Sequence, residues 1–390
     1  MAIRILYDAG GFRETHGGVS RYFTEMMRRL PDGFEWELGM VGTSNAYLQK
    51  PPFNLPPHKQ TVQDFIRDTL HGHSFRGVSY VYKALACIMP NRFPSGELAN
   101  QRAMRTVLDD RDFDILHVTH PHPVKNTWRS VVGQKPIVAT IHDLIPEILQ
   151  GNLRVAACRR QLLNDATRVI AVSENTKRDI MRIYGTNESK ISVIYHGNIQ
   201  ESSVITERLK DIPWPYILYV GKRDGYKNFT FFIEAIAPLL RQSELGLFCT
   251  GTGFNEQERA MLDRLEIGDK VMQRFVADSV MPSLFANAVV FVYPSLYEGF
   301  GIPILDAFSV GCPVILSDCS CFPEVAGDAA LYFSPTDGIA LRNNIVNVMN
   351  DGTLRNVLVE KGLKRSRMFS WWKCAKETAT FYRDILNDAE

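Results

Sequence analysis

Short apolar segments alternate with helical patterns along this whole chain, and this alternation is its strongest constraint on the fold. Twelve segments are candidate strands: residues 3–10, 36–42, 113–120, 137–143, 168–174, 191–197, 216–221, 245–251, 270–276, 289–295, 313–319 and 330–335. Most are almost continuous runs of Val, Ile, Leu and Phe, which is typical of parallel strands covered on both faces. The pattern therefore predicts an α/β protein whose parallel sheets are built from right-handed crossovers.

The candidate strands fall into two sets of six, which predicts two domains. A chain of 390 residues is also long for a single compact core. Between the sets, residues 199–215 are polar and charged and end in two closely spaced prolines, which indicates a linker. We expect two facing Rossmann-like domains with a cleft between them. An apolar stripe along residues 370–386 predicts a final helix, whose simplest role is to cap the second domain.

Composition excludes several classes of function. Lys plus Arg number 44 against 43 for Asp plus Glu, so no overall field favours a nucleic-acid partner. The seven cysteines have no metal-ligand spacing, and their odd number suits a reducing compartment. Neither a secretory leader nor an apolar run long enough to span a membrane is recognisable. We therefore expect a cytoplasmic protein.

Residues 297–306, YEGFGIPILD, contain the most informative motif. Glu298 and Asp306 flank a Gly-Phe-Gly turn, and the segment joins the apolar run 289–293 to a short predicted helix. Backbone N–H groups at such a helix start can bind an anion or a hydroxyl-rich ligand, and carboxylates can accept hydrogen bonds from vicinal hydroxyls. The alternative is an ordinary strand-to-helix turn, with Glu298 solvated and Asp306 stabilised by the helix dipole.

Further polar or glycine-rich motifs follow other predicted strands, where open α/β sheets bind ligands. Gly17 and Gly18 lie in HGGVSRY, which is not a GxGxxG dinucleotide fingerprint. Arg223 and Lys227 flank a turn before a predicted helix, an arrangement that suits a diphosphate but is also common in surface turns. His142 ends a strand beside an aspartate, and a structural role for it is about as well supported as a functional one.

Together these motifs resemble those of the retaining glycosyltransferases of family 4, also called glycosyl transferases group 1, which have the GT-B architecture. The resemblance spans nearly the whole chain and is strongest over residues 293–335. GGVSRY, IHDLIPE, AVSENTK, VIYHGN, YVGKRDGYKN and YEGFGIPILDA occur in the family's order. It implies an N-terminal acceptor domain of residues 1–200 plus 371–390 and a donor domain of residues 201–370. The last helix would then cross back, with Trp371 and Trp372 at an interdomain seam.

The resemblance also implies individual roles. Glu298 would contact hydroxyls of the donor sugar, and His142 would reach the transferred sugar from the first domain. Arg223 and Lys227 would neutralise the donor diphosphate. Asp306 would contact the nucleotide ribose, although the family usually has Glu there. The other donor-binding positions are Gly17 and Gly18 near the phosphates, Phe300, Gly301 and Ile302 near the sugar and phosphates, and Phe275 and Val276 near the nucleobase.

The implied reaction moves a hexose from a nucleoside diphosphate sugar to a saccharide or lipid-linked saccharide in polysaccharide biosynthesis. UDP-glucose is the first expectation for the donor and GDP-mannose the second. We expect neither a cofactor nor a metal ion, because Arg223, Lys227 and helix N-terminal amides would stabilise the leaving diphosphate as a metal ion does in other transferases. The alternatives are a nucleotide-sugar epimerase, another GT-B enzyme, or a non-enzymatic protein that binds nucleotide sugars.

Residues 51–105 stand apart from this pattern. From Lys59 to Arg105 the chain carries seven basic residues against three acidic ones, interleaved with aromatic residues. Such a segment would suit an anionic lipid-linked or uronic-acid-bearing acceptor, or a peripheral contact of residues 59–105 with the inner face of the membrane. Two solvated helices that cover the first sheet are an equally good interpretation.

Overall fold

The computed structural model describes residues 2–57, 96–110, 112–121, 127–198, 212–223 and 225–388. Within these residues, twelve strands form two parallel sheets. The first sheet consists of β1 (Ile3–Tyr7), β2 (Phe34–Leu38), β3 (Ile115–Val118), β4 (Ile137–Ile141), β5 (Arg168–Ala171) and β6 (Ile191–Val193). The second consists of β7 (Tyr216–Tyr219), β8 (Gly246–Thr250), β9 (Val271–Arg274), β10 (Val290–Tyr293), β11 (Val314–Ser317) and β12 (Leu331–Phe333). The strand order is β2-β1-β3-β4-β5-β6 in the first sheet and β12-β11-β10-β7-β8-β9 in the second.

Helices cover both sheets. In the described part of the first half they are α1 (Gly18–Met27), α2 (Gly96–Asp110), α3 (Trp128–Val132), α4 (Ile145–Ile148), α5 (Leu153–Asp165) and α6 (Glu174–Tyr184). In the second half they are α7 (Phe229–Gln242), α8 (Glu256–Arg264), α9 (Met281–Asn287), α10 (Ile302–Ser309), α11 (Phe322–Ala326), α12 (Gly338–Asn350), α13 (Gly352–Ser366) and α14 (Trp371–Asn387). None of these helices combines the length and the apolar character that crossing a membrane would require.

The predicted α/β fold with two Rossmann-like domains is confirmed. Central strands such as β4 and β10 are buried along their whole length, as continuous apolar runs require. In each sheet the strand order reverses beside the first strand, between β1 and β3 and between β7 and β10. Loops at the carboxyl ends of these strands border the crevice in which such folds bind ligands.

The second strand differs from its predicted range, residues 36–42. It runs from Phe34 to Leu38 and alternates between more and less exposed residues, because it lies at the edge of the sheet. The apolar residues after it leave the sheet. The backbone N–H of Val41 donates instead to Oδ1 of Asn100 in α2, at 2.9 Å. An edge strand with one exposed face does not have the continuous apolar pattern that identifies the central strands.

The final helix, α14, crosses back to the first domain, so the simpler expectation that it caps the second domain is wrong. The Tyr382 hydroxyl lies 2.8 Å from the Tyr7 hydroxyl and 2.5 Å from Nδ1 of His117. Trp371 is fully buried at the seam, as the resemblance implied. Trp372 is not in the seam: its side chain is 58% exposed and lies against the guanidinium of Arg29.

The two domains contact each other through the loop that precedes α10. Ser173, the N-cap of α6, donates from Oγ to the carbonyl of Gly299 at 2.7 Å. The Tyr297 hydroxyl donates to Oδ2 of Asp179 in α6 at 2.6 Å. A Cβ at Gly299 would overlap the carbonyl oxygen of His142, so only glycine permits this close approach. These contacts fix the Glu298 loop against the first domain.

Candidate active site

The loop between β10 and α10 positions the two carboxylates of the strongest sequence motif. Gly301, the N-cap of α10, has φ of 88°, a left-handed conformation that favours glycine. Glu298 is 8% exposed, and its backbone N–H donates to Oγ of Ser320 at 3.1 Å. Asp306 lies one turn into α10 and is 4% exposed. Both carboxylates are therefore buried rather than solvated, Glu298 before the start of α10 and Asp306 within it.

Lys227 and Glu298 form a buried ion pair. Lys227 ends a short 3-10 turn, Gly225–Lys227, and its Nζ donates to Oε1 of Glu298 at 2.6 Å and to the Tyr293 hydroxyl at 3.0 Å. Burial alone would lower the pKa of Lys227, but the neighbouring Tyr293 and Glu298 raise it well above its usual value. Lys227 therefore remains a cation at neutral pH. This pair brings together two residues that the sequence placed 71 positions apart.

Arg223 lies nearby in the same domain, but most of its guanidinium is already held by protein groups. Nε donates to Oε1 of Glu258 at 2.6 Å, and Nη2 donates to the carbonyls of Thr252 and Gly253 at 2.7 and 3.0 Å. Nη1 is buried and has no hydrogen-bond partner among the described residues. One donor group of a fixed guanidinium therefore remains for a further acceptor, near the glycine turn at Gly251.

The glycine pair of the first domain faces the start of α10. Gly17 is the extended N-cap of α1, and Gly18 is the first residue of that helix. A Cβ at Gly18 would lie 3.9 Å from Cδ1 of Ile302, which is the first residue of α10. Two helix N-termini from different domains thus approach each other. Their unpaired N–H groups and positive dipole ends attract an anion.

His142 lies at the carboxyl end of β4, where its carbonyl meets Gly299. Nε2 is buried without a hydrogen-bond partner in the described part of the chain. Burial lowers the pKa of His142 to about 3, with smaller contributions from His120 and Arg159, so the ring is neutral at physiological pH. Its ring centre is 5.0 Å from that of Tyr22. The residue is thus a neutral hydrogen-bonding group beside the Glu298 loop.

Phe300 differs from the other residues of this loop because its side chain belongs to the seam. The ring is buried and lies 4.5 Å from His196 and 5.9 Å from Phe369, centre to centre. His196 in turn stacks on Trp371 at 5.9 Å. Only the backbone of Phe300 is therefore oriented for a role in ligand binding.

The segment expected near the nucleobase lies at another edge of the cleft. Phe275, just after β9, is 68% exposed, and Val276 is half-buried. The Phe275 ring centre is 5.7 Å from that of His16, which lies 5.9 Å from Tyr47. Sequence reasoning missed His16 and Tyr47 as members of this group.

Sequence reasoning also missed Arg21. Its Nη1 donates to Oδ2 of Asp306 at 2.6 Å and its Nη2 to Oδ1 at 3.1 Å, a two-pronged ion pair between the domains. A signal was present, because Arg21 and Asp306 each lie about one turn into a helix that begins beside a glycine. Once α1 and α10 are known to face each other, the two side chains become neighbours.

The described residues contain no group of three or more His, Cys, Asp or Glu side chains that could hold a metal ion. The site instead has buried cations in fixed positions, two facing helix N-termini and a neutral histidine. Such an arrangement can bind a diphosphate, accept hydrogen bonds from sugar hydroxyls and stabilise negative charge on a leaving group.

Two family models match the chain. Residues 206–365 match the model described as glycosyl transferases group 1, and residues 16–198 match the one described as glycosyltransferase family 4. Together they include the Gly17 loop, His142, Arg223, Lys227 and the segment from Glu298 to Asp306.

Known proteins give the same result. O-antigen chain mannosyltransferase B of Escherichia coli is 30% identical over 266 residues, which cover 63% of this chain and 70% of that protein. Phosphatidyl-myo-inositol mannosyltransferase of Mycobacterium leprae is 26% identical over 295 residues, 72% of this chain and 76% of that protein. The structure of Anabaena Alr3699/HepE in complex with UDP-glucose matches with a TM-score of 0.71 at 18% identity, over 98% of this chain and all of the other. This chain therefore belongs to the family 4 glycosyltransferases and has the GT-B fold.

Proposed function

We propose that the protein is a retaining hexosyltransferase that moves a hexose from a nucleoside diphosphate sugar to a saccharide or lipid-linked saccharide, without a metal ion. One observation carries this proposal: the buried Lys227–Glu298 pair lies where the N-termini of α1 and α10 face each other. A diphosphate would find a fixed cation and N–H donors there. A hexose next to it would find the Glu298 carboxylate and neutral His142.

The reaction breaks the bond between the anomeric carbon and the diphosphate oxygen. Negative charge develops on that oxygen, where Lys227, Nη1 of Arg223 and the helix N-termini would stabilise it. Positive charge develops on the sugar, near Glu298. The acceptor oxygen forms its bond to the anomeric carbon on the face that the diphosphate leaves, and the departing phosphate oxygen takes the acceptor's proton. Retention then needs no covalent intermediate with a protein nucleophile.

The names of the relatives bear on the donor. Both curated relatives described above are named mannosyltransferases, whereas the Anabaena structure contains UDP-glucose. Because the sequence identity to the mannosyltransferases is higher, we propose a mannosyl donor such as GDP-mannose before UDP-glucose. The O-antigen relative supports an acceptor in polysaccharide synthesis.

Hydrolysis of sugar nucleotides in the absence of an acceptor tests this function. We expect slow release of free nucleoside diphosphate from one member of a panel of GDP-, UDP- and ADP-sugars, with or without EDTA. Formation of an epimeric nucleotide sugar would instead identify an epimerase, and binding without turnover would identify a non-enzymatic binding protein. Failure to bind any sugar nucleotide would refute the proposal, and activity that EDTA abolishes would refute its metal-independent form.

The acceptor and the site of action remain predictions. Residues 58–95, which contain most of the basic and aromatic segment, lie outside the described residues. We propose that this segment contacts a lipid-linked acceptor at the cytoplasmic face of the membrane. Sedimentation with anionic lipid vesicles, compared with neutral ones, tests that contact; equal recovery with both would contradict it.

A further inference from the structure

Arg21 and Asp306 form the most enclosed ion pair between the two domains that the described residues contain. The guanidinium is 19% exposed and the carboxylate 6%, and two parallel hydrogen bonds of 2.6 and 3.1 Å join them. This geometry fixes the plane of the carboxylate as well as its distance, because a guanidinium fork matches both oxygens. The orientation of Asp306 is therefore set by a residue of the other domain.

The position of Arg21 depends on the glycine loop of the first domain. Its backbone N–H donates to the carbonyl of Gly17 at 3.0 Å, so the first turn of α1 links Arg21 to that loop. Gly18 lies in the same turn and faces Ile302. Any movement of α1 away from α10 would thus separate Arg21 from Asp306 and the two helix N-termini from each other.

Other polar groups surround the pair. Asp278, which follows β9, and Tyr47 of the first domain both act electrostatically on Arg21. Burial raises the pKa of Tyr47, and the Asp278 carboxylate beside it raises that pKa further. The pair therefore lies between the buried end of the Glu298 loop and the His16–Phe275 contact. A nucleoside with its diphosphate at the first of these places and its base at the second would pass the pair.

A second ion pair between the domains provides a contrast. Nζ of Lys222 donates to Oε1 of Glu14 at 2.6 Å, but both side chains are more than half exposed. Solvent screens such a pair, so it contributes little to holding two domains together. The buried, two-pronged pair is different, because the loss of one partner leaves an uncompensated charge.

We propose that Arg21 is a positioning residue of the donor site, which orients Asp306 toward the nucleotide ribose and makes that contact depend on closure of the two domains. This inference rests on the proposed function, since it assumes a nucleoside diphosphate in the cleft. It also accounts for the short side chain at position 306. Aspartate reaches less far than glutamate, and a bridging arginine from the facing helix α1 holds its carboxylate in one orientation.

The test compares binding of a nucleoside diphosphate with binding of its 2′-deoxy and 3′-deoxy forms. GDP and UDP are titrated by calorimetry into the wild-type protein and into the variants Arg21→Gln, Arg21→Lys and Asp306→Asn. We expect the wild type to prefer the ribonucleotide by about tenfold or more, since a site built to bind a hydroxyl rejects an analogue that lacks it. In Arg21→Gln this preference should fall towards unity, and in Arg21→Lys it should fall partly, because lysine keeps the charge but not the fork.

A double variant and a control separate positioning from general damage. If Arg21 acts through Asp306, adding Arg21→Gln to Asp306→Asn should change ribose preference by less than about twofold. Lys222→Gln removes the exposed ion pair between the domains and should leave the preference unchanged. Melting temperatures identify any variant that does not fold. If Arg21→Gln does not fold, Arg21→Lys is compared with the wild type in its place.

Each outcome has a defined meaning. Unchanged ribose preference in folded Arg21→Gln would overturn the inference and leave the proposed function intact. So would an equal loss of affinity for the ribo- and deoxy-nucleotides, because Arg21 would then act on the diphosphate. If the wild-type protein binds no nucleoside diphosphate, the proposed function and this inference fail together.

Discussion

The surroundings of Glu298 and those of His142 meet in one cleft but accommodate buried polar groups in opposite ways. In the second domain, charge is retained and paired: Lys227 with Glu298, and Arg223 with Glu258. Among the buried histidines of the first domain, charge is avoided, because burial lowers the pKa of His142 to about 3 and that of His196 well below its usual value. Both histidines are therefore neutral where the lysine remains cationic.

This difference indicates what each side can recognise. Fixed cations and helix N-termini stabilise an anion, whereas a neutral imidazole can donate or accept a hydrogen bond without attracting phosphate. A donor with a charged diphosphate and an uncharged sugar would suit such a division between the two sides. Four changes to the protein or its conditions test that division.

Loss of either partner of the buried Lys227–Glu298 pair should have the largest effect. Lys227→Ala removes the charge beside the leaving group and leaves Glu298 buried without its partner, so we expect kcat/KM to fall by about 10³. Affinity for free nucleoside diphosphate should fall as well, as measured by calorimetry. Unaltered diphosphate affinity would remove Lys227 from the diphosphate site.

Two variants serve as companions to Lys227→Ala. Glu298→Ala should abolish transfer while circular dichroism shows an intact fold, and unchanged activity would exclude Glu298 from the site. Lys361→Ala removes a lysine from an exposed ion pair with Asp328 in the same domain. Its activity should equal that of the wild type.

Displacing the Glu298 loop from the first domain should have the next largest effect on activity. A Cβ at Gly299 would overlap the His142 carbonyl, so Gly299→Ala should displace the Glu298 loop and lower kcat/KM by about 10². Nucleoside diphosphate affinity should change less, because Lys227 keeps its position within the second domain. A Cβ at Gly352 would meet nothing within 4 Å, which makes Gly352→Ala the matched control. Equal activities of the two variants would show that close approach at Gly299 is unimportant.

Removing the neutral hydrogen-bonding group, His142, should have a smaller effect, which falls on kcat rather than on diphosphate affinity. His142→Phe keeps the aromatic packing but loses one hydrogen bond to the sugar, so we expect kcat to fall by about tenfold. Affinity for nucleoside diphosphate should stay within about twofold of the wild type. If His142→Phe weakens diphosphate binding as strongly as Lys227→Ala does, the proposed division between the two sides is wrong.

The loss of folding stability at low pH should come from the buried histidines of the first domain. Burial lowers the pKa of His117 to about 3, whereas an unfolded histidine titrates near 6.5. Below about pH 6.5 the unfolded chain binds a proton that the folded protein does not, so the free energy of unfolding falls as pH falls. The slope should reach about 1.4 kcal/mol per pH unit for each such histidine. Urea unfolding between about pH 7 and 5 measures this pH dependence of the free energy of unfolding. If the slope in His117→Asn is as steep as in the wild type, His117 does not contribute to it.

The central strands were predictable because burial on both faces leaves a continuous apolar pattern in the sequence. Eleven of the twelve predicted segments contain a whole strand. The twelfth, residues 36–42, only overlaps β2, an edge strand whose residues alternate. The limits of an apolar pattern also explain why α14 was wrongly expected to cap the second domain. An apolar stripe shows that a helix is packed, but the stripe does not identify the surface it packs against, and only the family resemblance indicated the first domain.

The loops that form the candidate site were predictable from the sequence, but the contacts between their residues were not. Glycine turns and charged residues after strands identified the loops, since strand ends meet at one edge of a sheet. Arg21 and Asp306 are 285 residues apart, and their contact depends on how two domains face each other. No local pattern contains that information. The domain boundary near residue 200 stays a prediction, because residues 199–211 lie outside the described residues.

The return of α14 has a consequence for the order in which the protein assembles on the ribosome. All strands of the second sheet, from Tyr216 to Phe333, are synthesised before Trp371. The first sheet, although made earlier, obtains the Tyr382 hydroxyl beside Tyr7 and His117 only when the last helix emerges. Domains usually complete folding in the order of synthesis. Here the domain that is translated first must be the last to complete its core.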